Sequence, residues 1–595
     1  MKQFWITFFG SVTGVVIASI ITPIVFFIIL AMMVDNALRN ADTAETLPRA
    51  GIVLELDMRE ARLDQPSRNP FSFGQPTAIV DLVRALEIAE SDNRVSGLFI
   101  RANEFGVSPG AAEELRGAIE SFQDSGKFVV AHAQGFEGTS VTAYYAVAGV
   151  GEIWMQDTSG FAAAGLSAEI PFLGGLFEQF NADAEFVQFY EYKNAANTYT
   201  ESELTEAHRE AATSYMTSIY DSAVSSIASD RDIEEDALRA IFENSPYSAE
   251  QAEQAGLVDR LGHVIDARES AIRRVGGGGN VLAMADYAEA ALNGWRTGPV
   301  IALVEGQGAI VTGGETQSVL DDSQMIGGDA MSASILSAAN DPQVRAIVIR
   351  VDSPGGSAIA SDQIWDTIGR AQEAGKPVVV SMASVAASGG YYIAAPADYV
   401  LAHETTLTGS IGVLGGKVNL AETFGMVGLN FETIAVGGEY ATAYSGTQSF
   451  SETQLEAYRS QMEDVYEDFT ERVAEGRDLP LERVLEIARG RVWTGAQAME
   501  IGLVDEIGGL RAAVDAAKEL AGIAPDARVQ LKRFPQERDP FEAFQELFGV
   551  SAQSAQAAAR VNALMELPEV RAAMEARRAM DTRGVQMRAY PAQPQ

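Results

Sequence analysis

Asp341-Pro-Gln-Val-Arg-Ala-Ile-Val-Ile-Arg350 repeats, 249 positions on, the pattern of Asp92-Asn-Arg-Val-Ser-Gly-Leu-Phe-Ile-Arg101. The same spacing relates Gly126-Lys-Phe-Val-Val130 to Gly375-Lys-Pro-Val-Val379. Ala143-Tyr-Tyr-Ala-Val-Ala148 matches Gly390-Tyr-Tyr-Ile-Ala-Ala395 at a spacing of 247, and Ala255-Gly-Leu-Val-Asp-Arg-Leu-Gly262 matches Ile501-Gly-Leu-Val-Asp-Glu-Ile-Gly508 at 246. Four matches in one order, drifting by only three positions, mark a domain-sized unit present twice rather than a short solenoid repeat.

Each copy reads as α/β. Leu98-Phe-Ile100 and Ala346-Ile-Val-Ile349 are short apolar runs suited to strands buried on both faces, and Val129-Val130 and Val378-Val-Val380 supply a second strand. Helical patterns at Ala111–Asp124 and Ser361–Glu373 lie between them. Strand, helix, strand in that order implies parallel pairing through right-handed crossovers. The chain divides into residues 1–46, a first copy with its junction at 47–297, a second copy at 298–525, and a helical extension at 526–595.

Composition narrows the function. Among 595 residues, 82 acidic against 43 basic side chains give a formal charge of −39, which argues against nucleic acid as a partner. Cysteine is absent, so disulfides, thiolate metal sites and cysteine nucleophiles are excluded. Any catalytic base must come from His132, His208, His263, His403, the few lysines, or a carboxylate.

From Phe4 to Val34 no residue is charged. As a helix that stretch is about 45 Å long, more than the ~30 Å of a bilayer's hydrocarbon core. It is longer than the apolar region of a secretory signal peptide, so it reads as one uncleaved transmembrane anchor. The basic residues flanking it are nearly balanced. The few residues before Phe4 are no domain, so the bulk lies beyond the anchor and is expected outside the cytoplasm.

The two copies differ where chemistry would sit. In the second, the strand ending at Val351 leads into Asp352-Ser-Pro-Gly-Gly-Ser357; the first has Asn103-Glu-Phe-Gly-Val-Ser108 there, without the paired glycines. Gly-Gly after a strand lets backbone N–H groups face a ligand, as in an oxyanion hole, although the same peptide serves as a plain turn. The second copy also has Ala386-Ala-Ser-Gly-Gly-Tyr-Tyr392, where Ser388 reads as an N-cap or as an exposed nucleophile whose following amide points into the site. The first copy has Val141-Thr-Ala-Tyr144 in that place. Three residues compete for the role of base. His403 lies 15 residues beyond Ser388, and Lys417 is in the same copy. Lys193, in Tyr190-Glu-Tyr-Lys-Asn-Ala195 after an expected strand at 184–190, is in the other copy, and the second copy has no lysine at the aligned position near Gly438. A serine kept in one copy and a lysine kept in the other form the pattern of a split site.

These segments, together with Thr408-Gly-Ser-Ile-Gly412 and Val492-Trp-Thr-Gly-Ala-Gln-Ala498, resemble the S49 serine protease family in its long, duplicated bacterial signal peptide peptidase A form. The resemblance covers nearly the whole chain. It implies two tandem crotonase-like (caseinolytic-protease-like) domains, Ser388 as nucleophile, Lys193 as general base, Ser410 as the serine that hydrogen-bonds the lysine, and Gly389 and Gly356 as oxyanion donors with Gly355 a close second. It further implies a homotetramer at the bacterial inner membrane, with the catalytic region on the periplasmic side. Its substrates would be cleaved signal peptides and other apolar unfolded peptides, and it would need no metal or organic cofactor. The sequence Asn194-Ala-Ala-Asn-Thr198 after the lysine departs mildly from the family pattern. A Ser–Lys pair requires a neutral amine, so the lysine must titrate roughly 2–3 units below the ordinary value near 10.4. Two other classes fit the scaffold: an acyl-CoA enzyme, and a non-catalytic membrane protein that binds peptides.

Overall fold

A computed structural model describes residues 47–67, 75–276, 279–294, 298–314 and 324–535. All of them belong to one unit, Thr43–Gln536. The predicted anchor and the helical extension beyond Phe534-Pro535 lie outside the described residues; among the described residues no helix is long and apolar enough to cross a membrane.

The first sheet contains strands β1 (Ile52–Asp57), β2 (Val95–Arg101), β3 (Phe128–Ala133) and β4 (Ile153–Met155). Strand β5 (Asp183–Phe189) leaves that sheet, and β6 (Arg260–Leu261) and β7 (Asn280–Ala283) complete it in the order β6-β4-β3-β2-β1-β7, all parallel. The second sheet is built from β8 (Val300–Gln307), β9 (Val344–Ser353), β10 (Val378–Ala387), β11 (Tyr399–Ala402) and β12 (Leu407–Gly409). Strand β13 (Val413–Asn419) stands apart, while β14 (Val492–Thr494), β15 (Glu506–Ile507) and β16 (Gln530–Phe534) join the sheet. Its path is β14-β12-β10-β9-β8-β16. Strand β16 pairs with β8 from Val300↔Gln530 to Val304↔Phe534, so residues assigned from sequence to the extension beyond 525 contribute a strand.

Period-2 alternation explains the layers. Ile301, Leu303, Ala346, Val348 and Val379 point to one face of the second sheet, against Leu510, Ala513 and Val514. Ala302, Val304, Ile347, Ile349 and Val380 point to the other, against Ile364, Ile368 and Tyr391. Both faces are covered, which is why these strands read as unbroken apolar runs. Val80 of the first copy packs into the Leu510 face, so one core is shared between copies.

The duplication extends to individual hydrogen bonds. Tyr144 Oη donates to Leu257 O, and Tyr391 Oη donates to Leu503 O. Ile153 N donates to the Asp259 carboxylate and Val400 N to that of Asp505, and these acids pair with Arg231 and Arg477.

Two departures from the repeat position the site. Strand β10 is ten residues long. Its first half pairs with β11 (Val379↔Tyr399), whereas its second half pairs with β12 (Val385↔Leu407), which carries the strand on to Ala387 opposite Gly409. Strand β5 of the first copy pairs antiparallel with β13 of the second, from Val413↔Phe189 to Asn419↔Asp183. The turn after β5 is therefore carried against the second copy, close to the end of β10.

Candidate active site

Ser388 sits between β10 and the short helix Gly389–Ala394, at φ +53° and ψ −121°. That backbone region is costly for a residue with a side chain and persists only when surroundings impose it. Ser388 N donates to Gly409 O at 2.8 Å, and the N–H groups of Tyr391 and Tyr392 both donate to Ser388 O at 2.9 Å. The serine side chain caps nothing. The N-cap reading of Ser388 thus fails on geometry, and the hydroxyl is free to act elsewhere.

The hydroxyl meets Lys193. Lys193 Nζ lies 2.9 Å from Ser388 Oγ, 2.7 Å from Ser410 O and 3.0 Å from Ser410 Oγ. Ser410 also has positive φ, +49°, which turns its carbonyl and side chain to the same amine. A neutral amine has two N–H bonds and one lone pair. Donation to the two Ser410 oxygens and acceptance from the Ser388 hydroxyl use all three. Lys193 is buried, 5% exposed, and burial alone brings its pKa down to about 7. The 195-residue separation of Lys193 and Ser388 is spanned by the β5–β13 pairing.

The paired glycines face the same point. Ile310 N donates to Gly355 O and Ser357 N to Ile310 O, so the chain threads Gly356 past Ile310. A Cβ on Gly356 would lie 2.1 Å from Ile310 O, and one on Gly355 would lie 2.7 Å from Gly389 N. Only glycines allow this approach. The Gly355 N–H is taken by Ser353 Oγ at 3.1 Å. The N–H groups of Gly356 and Gly389 have no acceptor among the described residues. A Cβ built on Gly389 would be 3.2 Å from Gly356 N, which places the two amides side by side. Gly356 rather than Gly355 therefore has the free donor.

The first copy shows the alternative outcome. At the place of Gly389 it has Thr142, whose hydroxyl donates to Val107 O at 2.8 Å. The side chain fills the position left open in the second copy.

The structure removes both rival bases. His403 is buried 2.8 Å from Glu114 Oε2 and 3.7 Å from Glu113 Oε1, both on the first-copy helix Pro109–Asp124. Burial alone would lower its pKa, but the two carboxylates outweigh it and raise it to about 9, so it is charged and already paired. The Lys417 amine donates to Ala443 O and Gln448 O and lies 4.1 Å over the Phe450 ring. Neither side chain is free to accept a proton from Ser388.

A turn the sequence reading passed over also reaches the site. Gly490, between Arg489 and Arg491, packs against the backbone of Lys193. In sequence it stands just before Val492-Trp-Thr-Gly495 and reads as an ordinary turn glycine.

Comparison with known proteins agrees with the duplication. The family model described as peptidase family S49 matches twice, at residues 121–276 and 370–524. The chain is 30% identical over 508 residues to Protease 4 of Salmonella typhi, covering 82% of this chain and 80% of the relative. It is 30% identical over 471 residues to Protease 4 of Haemophilus influenzae, covering 76% and 74%. It is also 29% identical over 491 residues to the chloroplastic serine protease SPPA of Arabidopsis thaliana, covering 81% and 71%. With both copies matched and two relatives at 30% identity over most of their length, the chain belongs to peptidase family S49.

Proposed function

We propose that this protein is a membrane-anchored serine endopeptidase that uses a Ser388–Lys193 dyad to degrade remnant signal peptides. The observation that carries the reading is the 2.9 Å approach of a buried lysine amine to the hydroxyl of a serine that caps nothing. In this mechanism Lys193 takes the Ser388 proton as Oγ attacks the peptide carbonyl. The Gly356 and Gly389 N–H groups receive the developing oxyanion. The resulting lysinium protonates the leaving amine. Water, deprotonated by the same lysine, then cleaves the acyl-enzyme. Ser410 holds two of the amine's three positions, leaving the third aimed at Ser388.

The scaffold around this site is the crotonase-like fold, repeated in tandem. Support for it is the repeated parallel sheet and the split of β10 between two neighbours. The apolar stretch Phe4–Val34 supports an anchor, which would hold the catalytic unit at the outer face of a bacterial inner membrane. Assembly as a homotetramer is supported by an apolar strip on the second copy. Ile434 and Val436 are more than nine-tenths exposed, and Val427 is 80% exposed. The strip adjoins the first-copy segment at Phe180 through the Thr423 hydroxyl. Sedimentation of the soluble region is expected to give four subunits per particle; a monomer at micromolar concentration contradicts the assembly.

The pH profile tests the base. Lys193 works only when neutral, and its pKa is about 7. Cleavage of an apolar fluorogenic peptide should therefore rise with pH through a single-proton step near 7 and level off above about 8. At pH 6, kcat/KM should be about tenfold below the plateau. A midpoint above 9 would show a lysine still solvated and not serving as this base.

A further inference from the structure

Lys193 is held from the other copy. The turn Ala488–Arg491 joins the helix Leu481–Ile487 to β14. Two successive residues in it have positive φ, Arg489 at +58° and Gly490 at +83°. Its backbone bonds both sides of the dyad's support. Gly490 N donates to Ile411 O and Ser410 N donates to Arg491 O, both at 2.7 Å, while Tyr190 N donates to Arg489 O at 3.4 Å. A Cβ on Gly490 would fall 2.5 Å from Lys193 N and 2.6 Å from its Cα, so the turn presses directly on the lysine's own backbone.

The flanking arginines clamp the residues before the lysine. Arg491 makes two bonds of 2.8 Å to the Glu210 carboxylate and lies over the rings of Tyr192 and Trp493, at 4.9 and 4.6 Å. Arg489 pairs with Glu191 at 2.9 Å and lies over the Tyr190 ring. A planar guanidinium serves here as ion pair and as stacking surface at once, which lysine cannot imitate. The charged groups packed about this turn are Arg489, Arg491, Glu191 and Glu210, with the phenols of Tyr190, Tyr192 and Tyr466. They engage residues 190–192; among the described residues the amine itself hydrogen-bonds only the two serines.

We infer that Arg491, acting with Gly490, is a positioning residue that keeps the Lys193 amine dry and aimed at Ser388. This rests on the Ser–Lys reading above. Loosening the clamp admits water to the amine without removing it. The lysine then regains part of its ordinary basicity, so a larger share is protonated and idle at neutral pH.

The test is kcat/KM against pH, from 5.5 to 10, with the apolar fluorogenic peptide, run beside the rate of fluorophosphonate labelling. Wild type is compared with Arg491→Met, Arg491→Lys, Glu210→Gln and Ser388→Ala. Arg491→Met should move the midpoint alkaline by one pH unit or more, lower the rate at pH 7 about fivefold or more, and leave KM within about threefold. Arg491→Lys should not restore the wild-type midpoint. Glu210→Gln should shift it less, in the same direction, and it keeps the test decisive if Arg491→Met fails to fold. A wild-type midpoint in Glu210→Gln, or in a folded Arg491→Met, overturns the inference whatever the absolute rate. Retained cleavage in Ser388→Ala overturns the Ser–Lys reading itself, and the positioning role with it. An inert Ser388→Ala beside unshifted variants overturns the positioning role alone.

Discussion

Replacing Lys193 by methionine is expected to abolish peptide cleavage and, at pH 6, to make the protein more stable. On the proposed Ser–Lys mechanism the loss follows from removing the base, and residues acting as one unit are not additive. Ser388→Ala, Lys193→Met and the double variant should all fall by a similar factor, roughly 10⁴ or more in kcat. The gain in stability follows from linkage. The folded-state pKa of Lys193, about 7, is below the ordinary value of 10.5, so between those limits the unfolded chain binds the extra proton. Wild-type stability therefore rises with pH through that window, and below it the full cost of the buried ammonium is present. That cost is on the order of 3–5 kcal/mol, and methionine fills the space without it. Denaturant unfolding of wild type and Lys193→Met at pH 6 and pH 10 checks the sign. The variant should be the more stable at pH 6, and the gap should narrow at pH 10. A variant that is both inactive and less stable at pH 6 would point to a structural lysine.

The second large effect is expected far from the dyad. Arg350 of the second copy is 1% exposed and bonds Asp64 of the first through Nε at 3.0 Å and Nη2 at 2.6 Å. It also lies 2.8 Å from Glu114, which in turn meets His403. Burial would raise the Glu114 carboxyl, but the Arg350 and His403 charges outweigh it and hold it far below the usual carboxylate range. Arg350→Met leaves Asp64 and Glu114 buried without that cation. Breaking such a pair costs about 3–5 kcal/mol. Urea unfolding should show that loss, and the dyad should suffer with it, because serine and lysine come from the two copies that this network joins. The network also has a pH window. His403 has a folded pKa near 9, above its ordinary 6.5, so its contribution is complete below about 6.5 and is lost as pH rises through 9. Glu114 is shifted the other way, so its contribution is present above its ordinary value near 4.5 and is lost as pH falls. An Arg350→Met protein with unchanged urea midpoint would mean that solvent or a second cation relieves the two acids.

Much of this architecture could be read before any coordinates. The repeats at 92 and 341 and at 143 and 390 became equivalent strands and helices, because apolar runs and turn glycines are local signals. The expected strand at 184–190 and helices at 111–124 and 361–373 appear as Asp183–Phe189, Pro109–Asp124 and Ala358–Glu373. The opposite losses in the two copies placed the serine and the lysine in one candidate site. What stayed hidden depends on contacts across hundreds of residues. Nothing near His403 announces that Glu113 and Glu114, some 290 residues earlier, would bury and charge it. Lys417 looked available because the Ala443 and Gln448 carbonyls that occupy its amine come from a loop without a pattern. The Gly355–Gly356 ambiguity turned on one side-chain bond from Ser353. Strand β16 follows the polar segment Pro525–Arg528 and reads as tail until its pairing with Val300–Val304 is seen.

The most direct test of the central claim is to locate and titrate the nucleophile. Protein lacking residues 1–46 is treated with a fluorophosphonate at pH 6 and pH 8.5, and the adduct is read by intact mass and peptide mapping. The predicted result is one adduct, on Ser388, forming about tenfold faster at pH 8.5, and absent from Ser388→Ala and Lys193→Met. Adducts on another serine, or wild-type labelling of Ser388 in Lys193→Met at pH 8.5, would contradict a Ser–Lys dyad shared between the two copies.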